Sequence, residues 1–313
     1  MDGIIFNGKH SYYDMGLTMT GDREIGFPNK NKIKMNVPFS NVSHDFSSIY
    51  EDQTYTERPL KYIFNVIDFH RLNRKRVDQI KSNAVNWLMC INQKSRLDDP
   101  YISDYYFMAE VEGDIDFEDF DTHGELTVTF TAYPFKISEL REGNNLWATF
   151  NFDTDVLQDT TTKVYAPTVF KELSVGSFAT IGSWATQYFG SGKIPFSNLG
   201  ISRKILAKKY GDQNISKISY ELEGIEGFVI EQDIIQAYPS PTKMKLINPG
   251  TPSVVPAVTS GTKISIIKNN VIYNFFGGTS KNELFRLASG ENDIEIFSRY
   301  DADINFDFYK ELI

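Results

Sequence analysis

"GELTVTFTAYPFK", residues 124–136, is the stretch that decides the fold class. Leu126, Val128, Phe130 and Ala132 fall on one side of an extended chain, and Thr127, Thr129 and Thr131 on the other. This period of two marks a half-buried strand, with one face packed and the other turned to water or a partner. "KYIFNVI" (61–67) has the same β-branched and aromatic character, but between the two stretches the period changes. Over 74–91, Val77, Ile80, Ala84, Trp87, Leu88 and Ile91 recur at three- and four-residue steps, leaving Lys75, Asp78, Lys81 and Ser82 outside. That spacing predicts a single helix lying across a sheet.

Further out, Asn7-Gly8 separates the apolar residues 4–6 from 17–19 and suits a type I′ turn, so the pair reads as a hairpin or two short neighbouring strands. Asp98-Asp99-Pro100 punctuates the chain after the helix, and 105–111 resumes an extended pattern. In the second half, "KISIIKNNVIYNFF" (263–276) reads as a hairpin turning at Asn269-Asn270. In "DINFDFYK" (303–310), Ile304, Phe306 and Phe308 alternate with Asn305, Asp307 and Tyr309, again giving one packed face. Pro249, Pro252 and Pro256 confine their segment to an edge or a crossing. The fold class is mainly β. At 313 residues the chain exceeds what one core usually organises, and the polar connector 139–145 sets a boundary near residue 140.

Composition excludes several functions. A net charge of −9 argues against a protein that grips phosphates with Lys and Arg. No specific nucleic-acid binding is expected, although DNA passing close by is compatible with it. No window approaches the roughly 20 apolar residues of a membrane span, so no membrane anchor or targeting segment is expected. Cys90, the one cysteine, cannot close an intrachain disulfide and reads as a core residue beside Trp87, Leu88 and Met89.

Candidate chemistry is thin. Asp114, Asp116 and Glu118 alternate within the acidic stretch 110–125 and invite a calcium reading, but Asp119 stands where an EF-hand loop needs Gly. A solvated acidic hairpin tip is the competing reading. Asp301 and Asp303 read as a solvent-facing rim. His10, His44, His70 and His123 fall in no catalytic or zinc motif. "FGSGK" (189–193) lacks the first Gly and the Ser/Thr of a phosphate loop. No catalytic, cofactor-binding or metal residue is assigned, no cofactor is expected, and the chain does not read as an enzyme.

The order of features carries a resemblance. "FNGKHSYYDMGL" (6–17), "VPFSNVSHDFSSIYEDQTYTERPLKYIFNV" (37–66), a helix, "DDPYISDYYFMAEV" (98–111) and "GELTVTFTAYPFK" follow one another along residues 1–137. That series resembles the N-terminal domain of the distal tail proteins (Dit) of long-tailed bacteriophages, the siphoviruses. Phe6, Asn7, Gly8, Gly16 and Leu17 match the family's opening strand, and Tyr133, Pro134 and Phe135 match its aromatic-Pro-aromatic close. "FNFDTDVLQDTTTKV" (150–164), "KMKLINPGTPSVVPAVTSG" (243–261) and "GENDIEIFSRYDADINFDFYKEL" (290–312) are similar to strands of the family's C-terminal domain. The resemblance implies an N-terminal, ring-forming, β-sandwich-like domain with one α-helix over 1–140. Over 141–313 it implies a galectin-like β-sandwich carrying an inserted subdomain.

One departure stands out: about 166–242 is inserted where a short connection would serve, and a structureless loop of that length is implausible. The expectation is a small subdomain projecting from the sandwich, either an arm gripping a receptor-binding protein or a sugar-binding module. It holds the basic stretch 203–209 and "GSWATQYFGSG" (182–192). There Trp184, Tyr188 and Phe189 suit stacking on sugar or anchoring a partner, against the alternative of ordinary core.

The resemblance implies a homo-hexameric ring in the virion, at the tail tip or baseplate. It would join the tail tube protein to the tail-associated (tail fibre) and receptor-binding proteins. Residues 20–45 would form an extended loop embracing the neighbouring subunit, and acidic groups facing the channel would repel passing DNA. The alternative function is a carbohydrate-binding or hydrolysing protein that recognises host cell-wall polysaccharide.

Overall fold

A computed structural model describes residues 3–36, 41–47, 53–67, 74–112, 115–120, 123–142, 150–151, 156–157, 161–190, 192–213 and 216–313. His70, Asp114, residues 143–145 of the connector and parts of the 20–45, 37–66 and 150–164 segments lie outside them. The chain is mainly β, and the described residues divide into two compact units.

The first unit is Met1–Leu140 with Gly250–Pro252 and Tyr309–Ile313. Its centre is the strand His123–Ala132, which pairs antiparallel with Arg58–Ile67 along its whole length, from His123 opposite Ile67 to Ala132 opposite Arg58. Leu17–Ile25 adds to the far side of Arg58–Ile67 through a bulge between Met19 and Arg23. The alternation is realised as read: Leu126, Val128, Phe130 and Ala132 are buried together with Leu60, Tyr62, Phe64 and Val66, while the threonines are half-buried. Each large apolar side chain buried here contributes roughly 1.5–3 kcal/mol. A one-residue slip would exchange this set for threonines, so the register is strongly fixed.

The helix Arg74–Met89 lays Val77, Ala84, Trp87 and Leu88 against this sheet. The Trp87 ring meets Phe6 edge-on with centroids 5.9 Å apart, and its Nε1 donates to the Phe6 carbonyl at 3.2 Å. The helix stops at Met89 rather than running to residue 91. Cys90 therefore sits in the bend after it and is exposed, which corrects its reading as core.

Asn7 and Gly8 adopt φ of 48° and 73°, closing a two-residue turn between Ile5–Phe6 and Lys9–His10. Leu17–Ile25 is thus a separate strand rather than the return of that hairpin. Ile115–Asp119 folds back on Gly124–Val128 as an acidic hairpin, with Asp116 and Glu118 exposed. Gly124 lets the Phe117 ring lie close over the backbone: a Cβ there would come 2.1 Å from Phe117 Cζ and displace the ring.

The second unit is Arg141–Pro249 with Ser253–Phe308. One of its sheets contains Thr162–Val164, the strand Ala302–Leu312 as far as Phe308, Ala257–Ser260 and Gly278–Lys281 in that spatial order. Another contains Thr242–Asn248, Gly290–Ser298, Ile264–Lys268 and Val271–Phe275. Ile304, Phe306 and Phe308 from the first share one core with Leu246, Ile264, Ile266, Ile294 and Ile296 from the second. Asn269 and Asn270 turn the hairpin with φ of 50° and 61°, as their left-handed preference predicts.

The insertion forms a four-stranded antiparallel sheet, Phe178–Thr180, Ser202–Gln213, Ser216–Leu222 and Phe228–Ile230. It has a core of its own that includes Ile205, Tyr220, Leu222, Val229 and Ile234. It is docked on the sandwich at one face. A further buried cluster joins Trp184, Ile235 and Tyr238 of the insertion to Phe297 of the strand Gly290–Ser298. Beside it the Ser183 hydroxyl donates to the Ile264 carbonyl at 2.9 Å. Within "DIIQAY" (233–238), Ile235 and Tyr238 belong to the face that seats the insertion, while Ile234 and Ala237 belong to its own core.

Candidate functional site

Among the described residues two places carry features beyond fold maintenance. The first is the hairpin made by Lys34–Asn36 and Ser43–Asp45, with Met35 opposite His44. Ile33, Met35 and Val42 are 58%, 63% and 56% exposed, and Phe27 is 75% exposed shortly before the hairpin. The base of the hairpin is well held. Ile33 N donates to the Ser47 hydroxyl at 2.8 Å, and Lys32 pairs with Asp45 at 3.0 Å. Asp45 accepts from both the backbone and the hydroxyl of Ser47, which, with the Lys32 contact, holds its carboxyl well below the usual range. A firmly based hairpin that turns apolar side chains to solvent has the character of an interaction surface.

The second lies in the insertion, where the three aromatics singled out from the sequence separate. Trp184 is 5% exposed, donates from Nε1 to the Gln232 carbonyl at 3.0 Å and packs against Tyr238 at 5.4 Å. It is core, and it offers no free ring face to a sugar or partner. Phe189 is half-buried beneath Lys209, whose Nζ is 5.1 Å from its centroid. Tyr188 is also half-buried, but its ring is fixed: Asn198 Nδ2 donates to its hydroxyl at 3.2 Å, and the ring lies flush against Gly227. A Cβ at 227 would come within 2.9 Å of it, and Gly227 also takes a φ of 130°.

Tyr188 borders a cavity of about 240 Å³ that also meets Thr186, Gln187, Asp233 and Arg299. Gly190, with a φ of 90°, and Ile230 complete the lining. Asp233 ends the 3₁₀ turn Glu231–Asp233 with its side chain 1% exposed, and Arg299 Nη1 lies 3.3 Å from its Oδ1. Arg299 is the one hydrogen-bond donor to this carboxylate among the described residues. Burial pushes the carboxyl up from its ordinary 3.8 to about 6, and the Arg299 guanidinium offsets part of that rise. Burial and the nearby Asp233 charge likewise push the Tyr238 phenol up. Asp233 and Arg299 are the residues that sequence reading missed. The available signal was an acid inside the apolar run "VIEQDII" (229–235), where an unpaired charge is costly.

No family model and no curated protein matches the chain. Among solved structures it is similar to the SPP1 Dit protein, described as a paradigm of the hub adsorption apparatus in phages infecting Gram-positive hosts. The two are 8% identical, with 100% of each chain covered and a TM-score of 0.48. It is also similar to a chain in the phage p2 baseplate in its activated conformation with Sr, at 9% identity, covering 95% of this chain and 92% of that one, with a TM-score of 0.27.

Proposed function

We propose that the chain is a structural hub of a phage tail tip or baseplate, whose first unit closes with five further copies into a ring. The ring joins the tail tube protein to the tail-associated and receptor-binding proteins, and DNA passes through it. The chain acts by assembly rather than by turnover, and its place is the virion. The observation that carries this reading is the hairpin with Ile33, Met35 and Val42 turned to solvent. A heterologous contact repeated by rotation closes into a ring, and such a contact needs an adhesive element on each copy. The ordered series of motifs over residues 1–137 supports the same reading. With the chain at −9, acidic groups turned to the channel would keep DNA from adhering.

Native mass spectrometry with negative-stain imaging of the purified full chain tests it. Sixfold rings are the expected result, and a monomer at high protein concentration with no ring in the images overturns the proposal.

A further inference from the structure

The geometry points to the cavity at Tyr188, Asp233 and Arg299 as a binding site for one neutral saccharide unit, engaged through adjacent hydroxyls. The site disfavours free ions of either sign. A free anion meets the Asp233 carboxylate, which already opposes the Arg299 charge, and a cation meets Arg299. A neutral ligand escapes both repulsions provided that it brings donors and acceptors together. Adjacent hydroxyls do so, since one O–H donates to the carboxylate while a neighbouring oxygen accepts from the guanidinium. Both contacts involve a charged partner and are the stronger kind of hydrogen bond.

The remaining walls agree. Gln187 and Thr186 lie exposed at the mouth, and each can both donate and accept. Tyr188, fixed by Asn198 and Gly227, is a rigid part of the rim, and the cavity wall is largely polar, as hydroxyl groups require. At about 240 Å³ the cavity is smaller than a drug-sized pocket, which suits one ring with the rest of a glycan continuing past Gln187 into solvent. Asp233 is held before any ligand arrives, so little ordering is left to be done on binding.

The site stands apart from ring formation. It lies in the second unit, and its occupation and ring closure fail independently.

The test is saturation-transfer NMR and calorimetry on the full chain with D-galactose, D-glucose, L-rhamnose and N-acetylglucosamine, and with inorganic phosphate as a separate arm. At least one sugar is expected to bind. Asp233→Asn is expected to weaken that sugar roughly tenfold or more, because a charged acceptor is lost. Gln187→Ala, at the exposed mouth, is expected to weaken it several-fold. Wild-type binding should fade as pH drops through about 6, where protonation removes the acceptor that faces Arg299 and Tyr238. If Asp233→Asn does not fold, Gln187→Ala and Thr186→Ala decide. The proposal is overturned if no sugar in the panel binds, if binding survives the folded variants unchanged, or if phosphate binds in place of sugar.

Discussion

Among the described residues two aspartates are buried beside arginines, one in each unit, and they are treated oppositely. In the first unit Asp99 has a fully buried side chain that accepts from Arg23 at 2.7 Å, from the Tyr62 hydroxyl at 3.0 Å and from the Tyr101 backbone at 2.9 Å. In the second unit Asp233 is buried as deeply, yet receives one contact of 3.3 Å. Three donors make a carboxylate a structural anchor, and burial with its Asp99 contact pushes the Tyr62 phenol far up. One long contact leaves Asp233 with acceptor capacity in hand and its carboxyl at about 6. The lesson is that burial alone does not tell a structural ion pair from a poised one; the count of donors does.

The comparison breaks most visibly at Asp99. Asp99→Ala strands Arg23 and the Tyr62 hydroxyl in the first unit and should cost about 4 kcal/mol, read as a lower denaturation midpoint.

Asp233 should show the next largest effect, and with the opposite logic. Its pKa is higher folded than unfolded, so its contribution to stability is complete below about 3.8 and is lost as pH rises through about 6. A shift of that size corresponds to about 3 kcal/mol between the two limits. The difference in unfolding free energy between wild type and Asp233→Asn should therefore change with pH across that window. The variant should unfold no earlier than wild type at pH 7. A difference that stays flat with pH contradicts this account.

Tyr62→Phe removes one of the three donors to Asp99 without opening a cavity, and about 2 kcal/mol should be lost, as expected for a hydrogen bond to a charged group. The smallest stability effect belongs to Met35→Asp on the exposed hairpin. It should stay within about 0.5 kcal/mol of wild type in thermal unfolding, yet abolish rings in negative stain. Rings that persist in this variant remove the hairpin from the assembly contact.

Local pattern carried much of the fold. The alternation through Leu126, Val128, Phe130 and Ala132, the Asn7-Gly8 and Asn269-Asn270 turns and the helical spacing of Val77, Ala84, Trp87 and Leu88 each act within a few residues. They are legible because the physics that sets them is local. Cys90 reads as core because the apolar run of the sequence continues past the last helical turn, whereas its burial depends on where that turn ends. Trp184 was open to two readings for a longer-range reason. Its surroundings are built by Tyr238 and Phe297, residues far along the chain that no window around 184 contains. Asp233 could not be separated from the other acids among 41 Asp and Glu, because its significance lies in meeting Arg299.

The way the insertion is seated has a mechanical consequence. Trp184, Ile235 and Tyr238 pack on Phe297, and Ser183 bonds to Ile264 beside them, so the inserted sheet has no free pivot on the sandwich. A pull on its solvent side reaches the strand Gly290–Ser298 as shear through close-packed side chains, instead of being dissipated in the swing of a tether. The insertion is thus held by packed side chains as well as by its two chain connections. Cutting it out would expose Phe297 to water, so it cannot be exchanged as a cassette without redesigning the face beneath it.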